Sequence, residues 1–403
     1  MSLGHGRPYL AIPGPSVMPD RVLNAMHRAA PNIYEGGLID MVDTLYPDLR
    51  TVAQTSGNVA IYIGNGHAAW EAALVNVFSR GDKALALATG RFGHGWSEAA
   101  QGLGIKVELL DFGRQKGVDA NRLEAALRAD RQHEIKAVLS TQTDTASSIR
   151  TDIAELRRVL DACGHPALLM VDCIASLGCD RFEMDHWGVD VMIAASQKGL
   201  MTPPGLSFVW FNERAMEHHE SAGLVTPYWN WKPRVSGESF YQKFDGTAPT
   251  HHLFGLREAL NMLVHEEGIK AAWARHAALA RAVWVAVECW GQGGPVYLNI
   301  ADPGLRSHAV TSIGLGSPDA ARLRRWLEET AGVTLGIGLG METEADPKSQ
   351  NWLRIAHMGH VNAHMVLGLL GAIEAAMQAL SIPHGQGAIS AAARIIAKAS
   401  QEP

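Results

Sequence analysis

The chain has 403 residues, of which 47% are apolar and 19% are charged, and its formal net charge is −6. This composition is typical of a folded globular protein with room for two domains, and it argues against intrinsic disorder. The acidic balance and the lack of a Lys/Arg run argue against nucleic acid or a membrane surface as partners, which leaves small molecules or other subunits.

The N-terminal stretch is rich in turn residues, with Ile12-Pro13-Gly14-Pro15-Ser16 leading into Pro19-Asp20. Proline and aspartate suit the first turn of a helix, which we expect to end near Ala29. We expect residues 1–18 to form a clasp across the body of the protein.

From residue 59 onward, apolar strands alternate with amphipathic helices. This alternation predicts an α/β fold with a mostly parallel sheet that is covered by helices on both faces. The expected strands are Val59–Ile63, Ala84–Ala88, Lys106–Leu110, Ala137–Ser140, Ala167–Val171, Val189–Ala195 and Leu206–Trp210. The expected helices are Ala68–Ser79, Gly93–Leu103, Asp119–Ala129 and Asp152–Ala162.

After Phe211 the alternation ends in an irregular segment, residues 224–249, whose length is typical of a functional loop or an interface. A long helical stretch from His252 to about Trp290 follows, and strands and helices of mixed order come after it. We therefore predict a large domain, 19–255, and a smaller α+β domain, 256–403, that is hinged on the long helix. The elements expected in the smaller domain are strands Val296–Ile300, Ala309–Gly314, Val333–Leu335 and Trp352–Ala356, a helix opened by Ser317-Pro318-Asp319, and a helix Ala363–Leu380.

A glycine-rich turn, Gly64-Asn65-Gly66-His67-Ala68, lies between the first expected strand and its helix. It matches the G-x-G-x-x-G/A fingerprint of dinucleotide sites, but the next strand ends in Leu87-Ala88-Thr89-Gly90, without the acid that would bind a ribose. The N–H groups of Gly66, His67 and Ala68 at a helix start predict a site for one phosphate instead. An ordinary tight turn is the alternative.

Two buried strands end in residues that can carry chemistry: Asp172 follows the strand ending at Val171, and Lys198 follows the strand ending at Ala195. Burying an isolated ammonium costs several kcal/mol, whereas a deprotonated amine can form a Schiff base with a carbonyl. Because the carboxyl ends of parallel strands share one edge, we expect Asp172 and Lys198 in the same crevice. The alternatives are a surface lysine in a loop and an aspartate that caps a turn.

A phosphate anchor, a Schiff-base lysine and a carboxylate for a pyridinium nitrogen are the three features that bind pyridoxal phosphate. Over nearly its whole length the chain resembles the class V aminotransferases, nearest the serine–glyoxylate and alanine–glyoxylate group. The resemblance rests on motifs that occur in family order: Pro13-Gly14-Pro15, Gly66-His67-Ala68, Gly90-Arg91-Phe92-Gly93, Val171-Asp172, Ser196-Gln197-Lys198, Pro203-Pro204-Gly205, Thr247-Ala248-Pro249 and Leu353-Arg354-Ile355-Ala356-His357-Met358-Gly359.

The resemblance implies fold type I of the pyridoxal 5′-phosphate enzymes, with 19–255 as the cofactor-binding domain. It implies that Lys198 forms the Schiff base, that Asp172 pairs with the pyridinium and that Arg354 binds the substrate carboxylate. The further cofactor contacts that it implies are Gly66, His67, Ala68, Phe92, Thr145 and Gln197, with Thr247 reaching in from the neighbouring subunit of a homodimer. Phe92 as a core aromatic and Arg354 as a stacked surface arginine are the alternatives.

Two segments depart from the family pattern. Tyr34-Glu35-Gly36-Gly37 stands where many relatives carry a His-Arg pair, and Asp144-Thr145-Ala146-Ser147-Ser148 replaces Glu-Thr-Ser-Thr-Gly. Both differences fall where the substrate side chain would be recognised, so the reaction type is better determined than the substrate.

The predicted function is a pyridoxal-phosphate aminotransferase that moves the amino group of a small amino acid, of serine, alanine or aspartate type, to a 2-oxo acid such as glyoxylate or pyruvate. The alternatives are a pyridoxamine–pyruvate transaminase, a lyase or desulfurase of the same family, and a non-catalytic binding protein on the same fold. The histidines show no HExxH spacing, so no metal site is predicted. Four cysteines without CxxC spacing and without a secretory signal favour the cytoplasm, and no apolar run reaches the roughly 18 residues of a membrane span.

Overall fold

Two β-sheets organise the protein in the computed structural model, which describes residues 2–316 and 318–401. In chain order the strands are β1 (Tyr9–Ala11), β2 (Asn58–Gly64), β3 (Lys83–Ala88), β4 (Lys106–Asp111), β5 (Ile135–Thr141), β6 (Leu168–Asp172), β7 (Val191–Ala195), β8 (Gly205–Phe211), β9 (Tyr297–Leu298), β10 (Val310–Gly314), β11 (Val333–Ile337) and β12 (Trp352–Ala356).

The helices that cover these sheets begin and end as follows: α1 (Asp20–Met26), α2 (Gly37–Asp43), α3 (Leu45–Ala53), α4 (Gly66–Val75), α5 (Arg91–Gly102), α6 (Ala120–Ala129), α7 (Ile153–Ala162), α8 (Glu213–His219), α9 (Lys232–Ser236), α10 (Thr250–Leu260), α11 (Ile269–Gly291), α12 (Asp319–Trp326), α13 (Ala363–Ala379) and α14 (Ala388–Ala399).

The larger sheet has seven strands in the order β2-β8-β7-β6-β5-β3-β4, and β8 runs antiparallel to both of its neighbours while the others share one direction. Successive residues of a strand point to opposite faces, and in β6 both faces are covered. Leu169 and Val171 pack into one apolar core while Leu168 and Met170 pack into the other. A strand that is buried on both faces is apolar throughout, and the predicted α/β fold with a mostly parallel sheet is confirmed.

The smaller sheet has five strands in the order β1-β11-β12-β10-β9. Its first strand comes from the N-terminus, because β1 pairs in parallel with β11. Helices α11 and α12 pack on this sheet, α13 and α14 pack on those helices, and all of them share a separate apolar core with the sheet. The N-terminal segment therefore reaches across to the part of the molecule that is formed mainly by the C-terminal residues.

Several elements differ from the prediction. Helices α2, α3, α8, α9 and α14 and strand β1 were not predicted. Most of them are short segments with weak periodicity, but α14 has 12 residues and one buried face and could have been recognised. The long helical stretch is two helices: α10 continues into a π-helical segment, Asn261–Glu267, and Gly268 with φ 84° ends it before α11. Strand β9 is only two residues long. We predicted a helix that opens at Ser317-Pro318-Asp319. Ser317 lies outside the described part of the chain, and the helix, α12, begins at Asp319.

No helix of the described residues is both long and apolar enough to cross a bilayer.

Candidate active site

A cavity of about 240 Å³ lies at the carboxyl edge of the larger sheet, where β6 and β7 end. A second cavity of about 390 Å³ adjoins it and shares the side chains of His67, Trp70 and Phe92. The predicted site residues that line the smaller cavity are Gly66, His67, Phe92, Thr145, Asp172, Gln197 and Lys198, and its other walls come from Asn65, Trp70, Thr143, Ile174 and Ala175.

Asp172 ends β6 with a carboxylate that is 3% exposed and held by a donor on each oxygen. The backbone N–H of Ile174 donates to Oδ1 at 2.7 Å, and the Trp70 indole Nε1 donates to Oδ2 at 2.8 Å. Burial raises the pKa of Asp172 to about 6, although these two hydrogen bonds act in the opposite direction. The carboxylate is thus oriented towards the cavity and retains acceptor capacity for a cationic partner.

Lys198 lies in the turn after β7, and its amine faces the N-terminal segment. Its Nζ donates to the carbonyl of Pro13, and Ser16 Oγ donates to the Lys198 carbonyl at 2.7 Å. A Cβ at Gly14, where φ is 107°, would overlap the lysine side chain, so only glycine fits there. Burial and the nearby charge of Arg354 lower the pKa of Lys198 to about 8. A deprotonated amine is therefore accessible close to neutral pH.

The glycine-rich turn differs from the prediction in one respect. Asn65 caps α4, and its Oδ1 accepts the N–H groups of His67 at 3.0 Å and Ala68 at 3.3 Å. Two of the N–H groups that we assigned to a phosphate are therefore partnered by the cap, which leaves the Asn65 amide group and Gly66 beside them. A Cβ at position 66 would lie 2.5 Å from Ile174 Cδ1, so a larger residue there would displace that side chain in the wall of the cavity.

Gln197 lines the same cavity, and its side-chain Oε1 is buried without a hydrogen-bond partner among residues 2–316 and 318–401. Buried polar atoms without partners are rare, and the oxygen and nitrogen of a glutamine amide can exchange places by rotation. The side chain can therefore present its NH₂ group to an anionic ligand in the cavity.

Asp144 connects the aromatic wall of the cavity to the turn that carries Thr145. Its Oδ2 accepts the N–H groups of Phe92 at 2.8 Å and Gly93 at 3.1 Å. Its Oδ1 accepts those of Ala146 at 3.0 Å and Ser147 at 3.4 Å. Since α5 starts at Arg91, this carboxylate also lies at the positive end of a helix. Burial nevertheless raises the pKa of Asp144.

Arg354 comes from β12 of the smaller sheet and is 6% exposed. Its Nε donates to the carbonyl of Ile337 at 2.7 Å and its Nη1 to that of Thr145 at 3.0 Å. Burial lowers the pKa of Arg354 to about 10, and the charge of Asp144 acts against that shift. The guanidinium is thus charged at neutral pH, fixed in orientation, and placed beside a residue that lines the cavity.

Three predicted residues do not line the cavity: Ala68, Thr247 and Arg354, the last of which lies behind Thr145. The N–H of Ala68 donates to Asn65 Oδ1, and Thr247 is exposed to solvent. Asn65 and Trp70 line it but were not predicted. An asparagine directly before a helix start is a recognisable cap signal, so Asn65 could have been found. Nothing in the sequence distinguishes Trp70 from an ordinary core residue.

An amine, an oriented carboxylate, an aromatic ring and an anion-binding turn around one cavity suit a cofactor with an aldehyde, a ring nitrogen and a phosphate.

A family model described as aminotransferase class-V matches residues 9–343. The serine–glyoxylate aminotransferase of Methylorubrum extorquens is 36% identical over 93% of this chain and 91% of its own. The L-aspartate–glyoxylate aminotransferase of Paracoccus denitrificans is 34% identical over 95% of this chain and 94% of its own. Among solved structures, pyridoxamine–pyruvate aminotransferase from Mesorhizobium loti superposes with a TM-score of 0.87 at 24% identity and covers 98% of each chain, which shows the fold.

Proposed function

Because the chain belongs to the class V aminotransferase family, whose members use pyridoxal 5′-phosphate, we propose that it transfers the amino group of a small amino acid to a 2-oxo acid such as glyoxylate or pyruvate. The observation that carries this proposal is the convergence of Lys198, Asp172, Phe92 and Gln197 on one cavity. The relatives named for serine and for aspartate with glyoxylate support a small donor.

The protein would hold the cofactor by four groups of residues. Lys198 would bind it covalently, Asp172 would face the ring nitrogen and Phe92 would cover the ring. The phosphate would lie at the start of α4, against Gly66, the Asn65 amide and Gln197. These roles are compatible with the burial and the hydrogen bonds of each side chain.

When bound, the cofactor supplies an aldehyde that takes up the amino group and a ring that accepts the electron pair of the substrate Cα–H bond. Once released from the cofactor, Lys198 Nζ, with its lowered pKa, would move the proton from the donor Cα to the former aldehyde carbon in the first half-reaction and from that carbon to the acceptor Cα in the second. Asp172 would stabilise the positive charge on the ring nitrogen. The N-terminal segment at Pro13 and Gly14 would exclude water from the lysine.

Arg354 would bind the carboxylate that amino donor and oxo acceptor share. Its Nε and Nη1 are directed at backbone carbonyls, so the Nη2 side of the guanidinium is the part that would face the substrate. A planar guanidinium with fixed orientation suits a carboxylate better than a flexible ammonium does. This proposal assigns the smaller sheet to substrate binding and the larger sheet to the cofactor.

The alternatives within the family fit less well. A desulfurase needs a mobile, reactive thiol, but Cys173 is fully buried next to Asp172 and burial raises its pKa well above the usual value. The pyridoxamine–pyruvate reaction acts on a substrate without a phosphate, whereas we propose that the start of α4 and Gln197 bind a phosphate in this protein.

A panel of amino acids assayed against glyoxylate, pyruvate and 2-oxoglutarate would test the proposal. We expect turnover with at least one small donor and with glyoxylate or pyruvate. Absence of turnover with every pair, together with activity on free pyridoxamine, would favour the pyridoxamine alternative.

We propose in addition that the active site is completed in a homodimer. Thr247 is exposed and lies outside the cavity of its own chain, and the side chains of Tyr34 and Tyr241 are also exposed, by 86% and 62%. In a dimer Thr247 would reach the phosphate site of the partner. Sedimentation and assay at one concentration test this, since a fully active monomer would contradict it.

A cytoplasmic location is also proposed, because the four cysteines are free within the described residues. Proteins of oxidising compartments usually pair their cysteines. Fractionation of cells that produce the protein, followed by immunoblotting, would test the location.

A further inference from the structure

Trp70 lies where the groups assigned to the phosphate, the ring and the ring nitrogen meet. It is 2% exposed and lines both cavities. Its ring lies edge-on to His67, with ring centroids 4.5 Å apart, and edge-on to Phe92 at 6.4 Å. Its indole Nε1 donates to Asp172 Oδ2 at 2.8 Å. One side chain thus contacts three neighbours that are expected to hold the cofactor.

We infer that Trp70 is a positioning residue whose indole N–H fixes the carboxylate of Asp172. In the ion pair proposed between that carboxylate and the pyridine nitrogen of the cofactor, this hydrogen bond would keep the proton on the nitrogen. The inference rests on the proposed role of Asp172. The only other donor recorded to that carboxylate in the described part of the chain is the N–H of Ile174, on the opposite oxygen. With one neutral donor on each oxygen, the carboxylate cannot rotate freely about its Cβ–Cγ bond.

The direction of the effect follows from the environment of Asp172. A hydrogen bond donated to a carboxylate stabilises its charged form and lowers its pKa, whereas burial raises it. The charged groups that act on Asp172 are Asp144, which raises its pKa, and Lys198, which lowers it. Without the indole donor the carboxyl group would take a proton more readily, and the ring nitrogen would then lose the proton that makes it electron-accepting.

Trp96 provides a matched control. It is 1% exposed and stacks on Trp70, with ring centroids 6.5 Å apart and an angle of 16° between the planes. Its Nε1 is buried and has no hydrogen-bond partner among the residues that the structure describes. Substitution of either tryptophan by phenylalanine removes the same atoms from one buried stack, but only the substitution at 70 removes a donor to Asp172.

The experiment titrates pyridoxal 5′-phosphate into the apo forms of the wild type, Trp70→Phe, Trp96→Phe, Asp172→Asn and the double variant Trp70→Phe/Asp172→Asn, and follows cofactor absorbance to obtain Kd. We expect Trp70→Phe to weaken binding by roughly tenfold, which corresponds to a rise of about one unit in the pKa of Asp172. The full value of the hydrogen bond is not lost on binding, because the unliganded protein also makes it. Trp96→Phe should stay near the wild type. In the Asp172→Asn background, Trp70→Phe should change Kd by less than about threefold, because the charge on which it acts is gone.

Steady-state kinetics give a second readout. Trp70→Phe should lower kcat and leave the substrate KM unchanged, since Trp70 does not contact Arg354.

If Trp70→Phe fails to fold, replacement of Trp70 by benzothienylalanine keeps the shape of the ring and removes only the N–H, with the same expectations.

Equal Kd values for Trp70→Phe and Trp96→Phe, or equal losses with and without Asp172, would overturn the inference and leave a packing role alone. If Asp172→Asn itself changes neither Kd nor kcat, the proposed role of Asp172 fails, and the role of Trp70 fails with it.

Discussion

Asp172 and Asp144 are two buried aspartates at the ends of neighbouring strands: Asp172 is the last residue of β6, and Asp144 lies three residues after β5, yet their surroundings give them different roles. Asp172 is 3% exposed and Asp144 is fully buried, and burial raises the pKa of both. Asp144 accepts four backbone N–H groups, whereas Asp172 accepts two donors in all. Asp172 also lines the cavity, and Asp144 does not.

This difference indicates that the carboxylate of Asp144 stabilises the fold, whereas that of Asp172 is available to bind a ligand. Four N–H donors occupy about all the lone-pair sites of a carboxylate, so Asp144 has none left for a ligand. Asp172 has acceptor capacity left, and it points into the cavity. The residue type and the burial are the same in both places, so the number of hydrogen bonds already made distinguishes the two roles.

The largest effect on stability is expected at Asp144. In Asp144→Asn the amide NH₂ would face two backbone N–H groups, and each unsatisfied buried group costs about 1–3 kcal/mol, or about 2–6 kcal/mol in total. Urea unfolding of the apoprotein measures the loss. Asp152→Asn is the control, because Asp152 is an exposed cap that accepts one N–H from Glu155, a role that asparagine fills equally well. Equal losses in both variants would remove the distinction between the two aspartates.

The next largest effect concerns substrate binding by Arg354. Removal of one partner from a buried charge pair typically costs about 2–5 kcal/mol, so Arg354→Ala should lose activity in both half-reactions. Arg354→Lys restores the charge but not the planar donor pair and should recover only part of it. The cofactor spectrum follows each half-reaction separately. A loss confined to one half-reaction would place the shared carboxylate site elsewhere.

Asp172→Asn should affect turnover rather than folding, in contrast to Asp144→Asn. A neutral amide cannot stabilise the pyridinium, and an opposite charge in a buried site is equivalent to about 1–3 pKa units, or about 1.4–4 kcal/mol. We therefore expect cofactor to remain bound while kcat falls roughly tenfold to a thousandfold. Near-normal turnover would exclude Asp172 from the reaction.

The titration of Asp172 should have a smaller effect, which appears in the pH dependence of apoprotein stability. Because the folded pKa of Asp172 is raised from 3.8 to about 6, its contribution favours folding below pH 4 and is lost as the pH rises through 6. A shift of that size corresponds to at most about 3 kcal/mol. Melting temperatures at pH 4.5 and 7 should therefore differ less in Asp172→Asn than in the wild type. An unchanged difference would mean that Asp172 is not the group that titrates.

The sequence was sufficient for the larger sheet and for the residues at its edge. Strands that are buried on both faces are continuous apolar runs, so β6 and β7 were recognisable, and Asp172 and Lys198 could be placed at their carboxyl ends. Two of the four N–H donors to Asp144, those of Ala146 and Ser147, follow it directly in a turn that aspartate commonly caps. The other two, those of Phe92 and Gly93, come from the start of α5 about 50 residues earlier, and no local pattern predicts them. The contact between Trp70 and Asp172 spans 102 residues of sequence and depends on how α4 packs on the sheet.

Short and N-terminal elements were harder to predict for the same reason. Strand β1 has three residues and exists because β11 pairs with it. The cap of α4 by Asn65 occupies N–H groups that we expected to bind a phosphate, although the asparagine before the helix start is a recognisable cap signal. In each case a distant partner or a single side-chain hydrogen bond decides the outcome, and periodicity carries no information about either.

The central claim is that the amine of Lys198 holds the cofactor. Reduction of the purified holoprotein with sodium borohydride fixes a covalently bound cofactor on its lysine, and peptide mapping by mass spectrometry then identifies the site. We predict that the pyridoxyl label is found on Lys198 and that Lys198→Ala carries no label. A label on any other lysine, or an unlabelled wild-type protein that still performs transamination, would contradict this account.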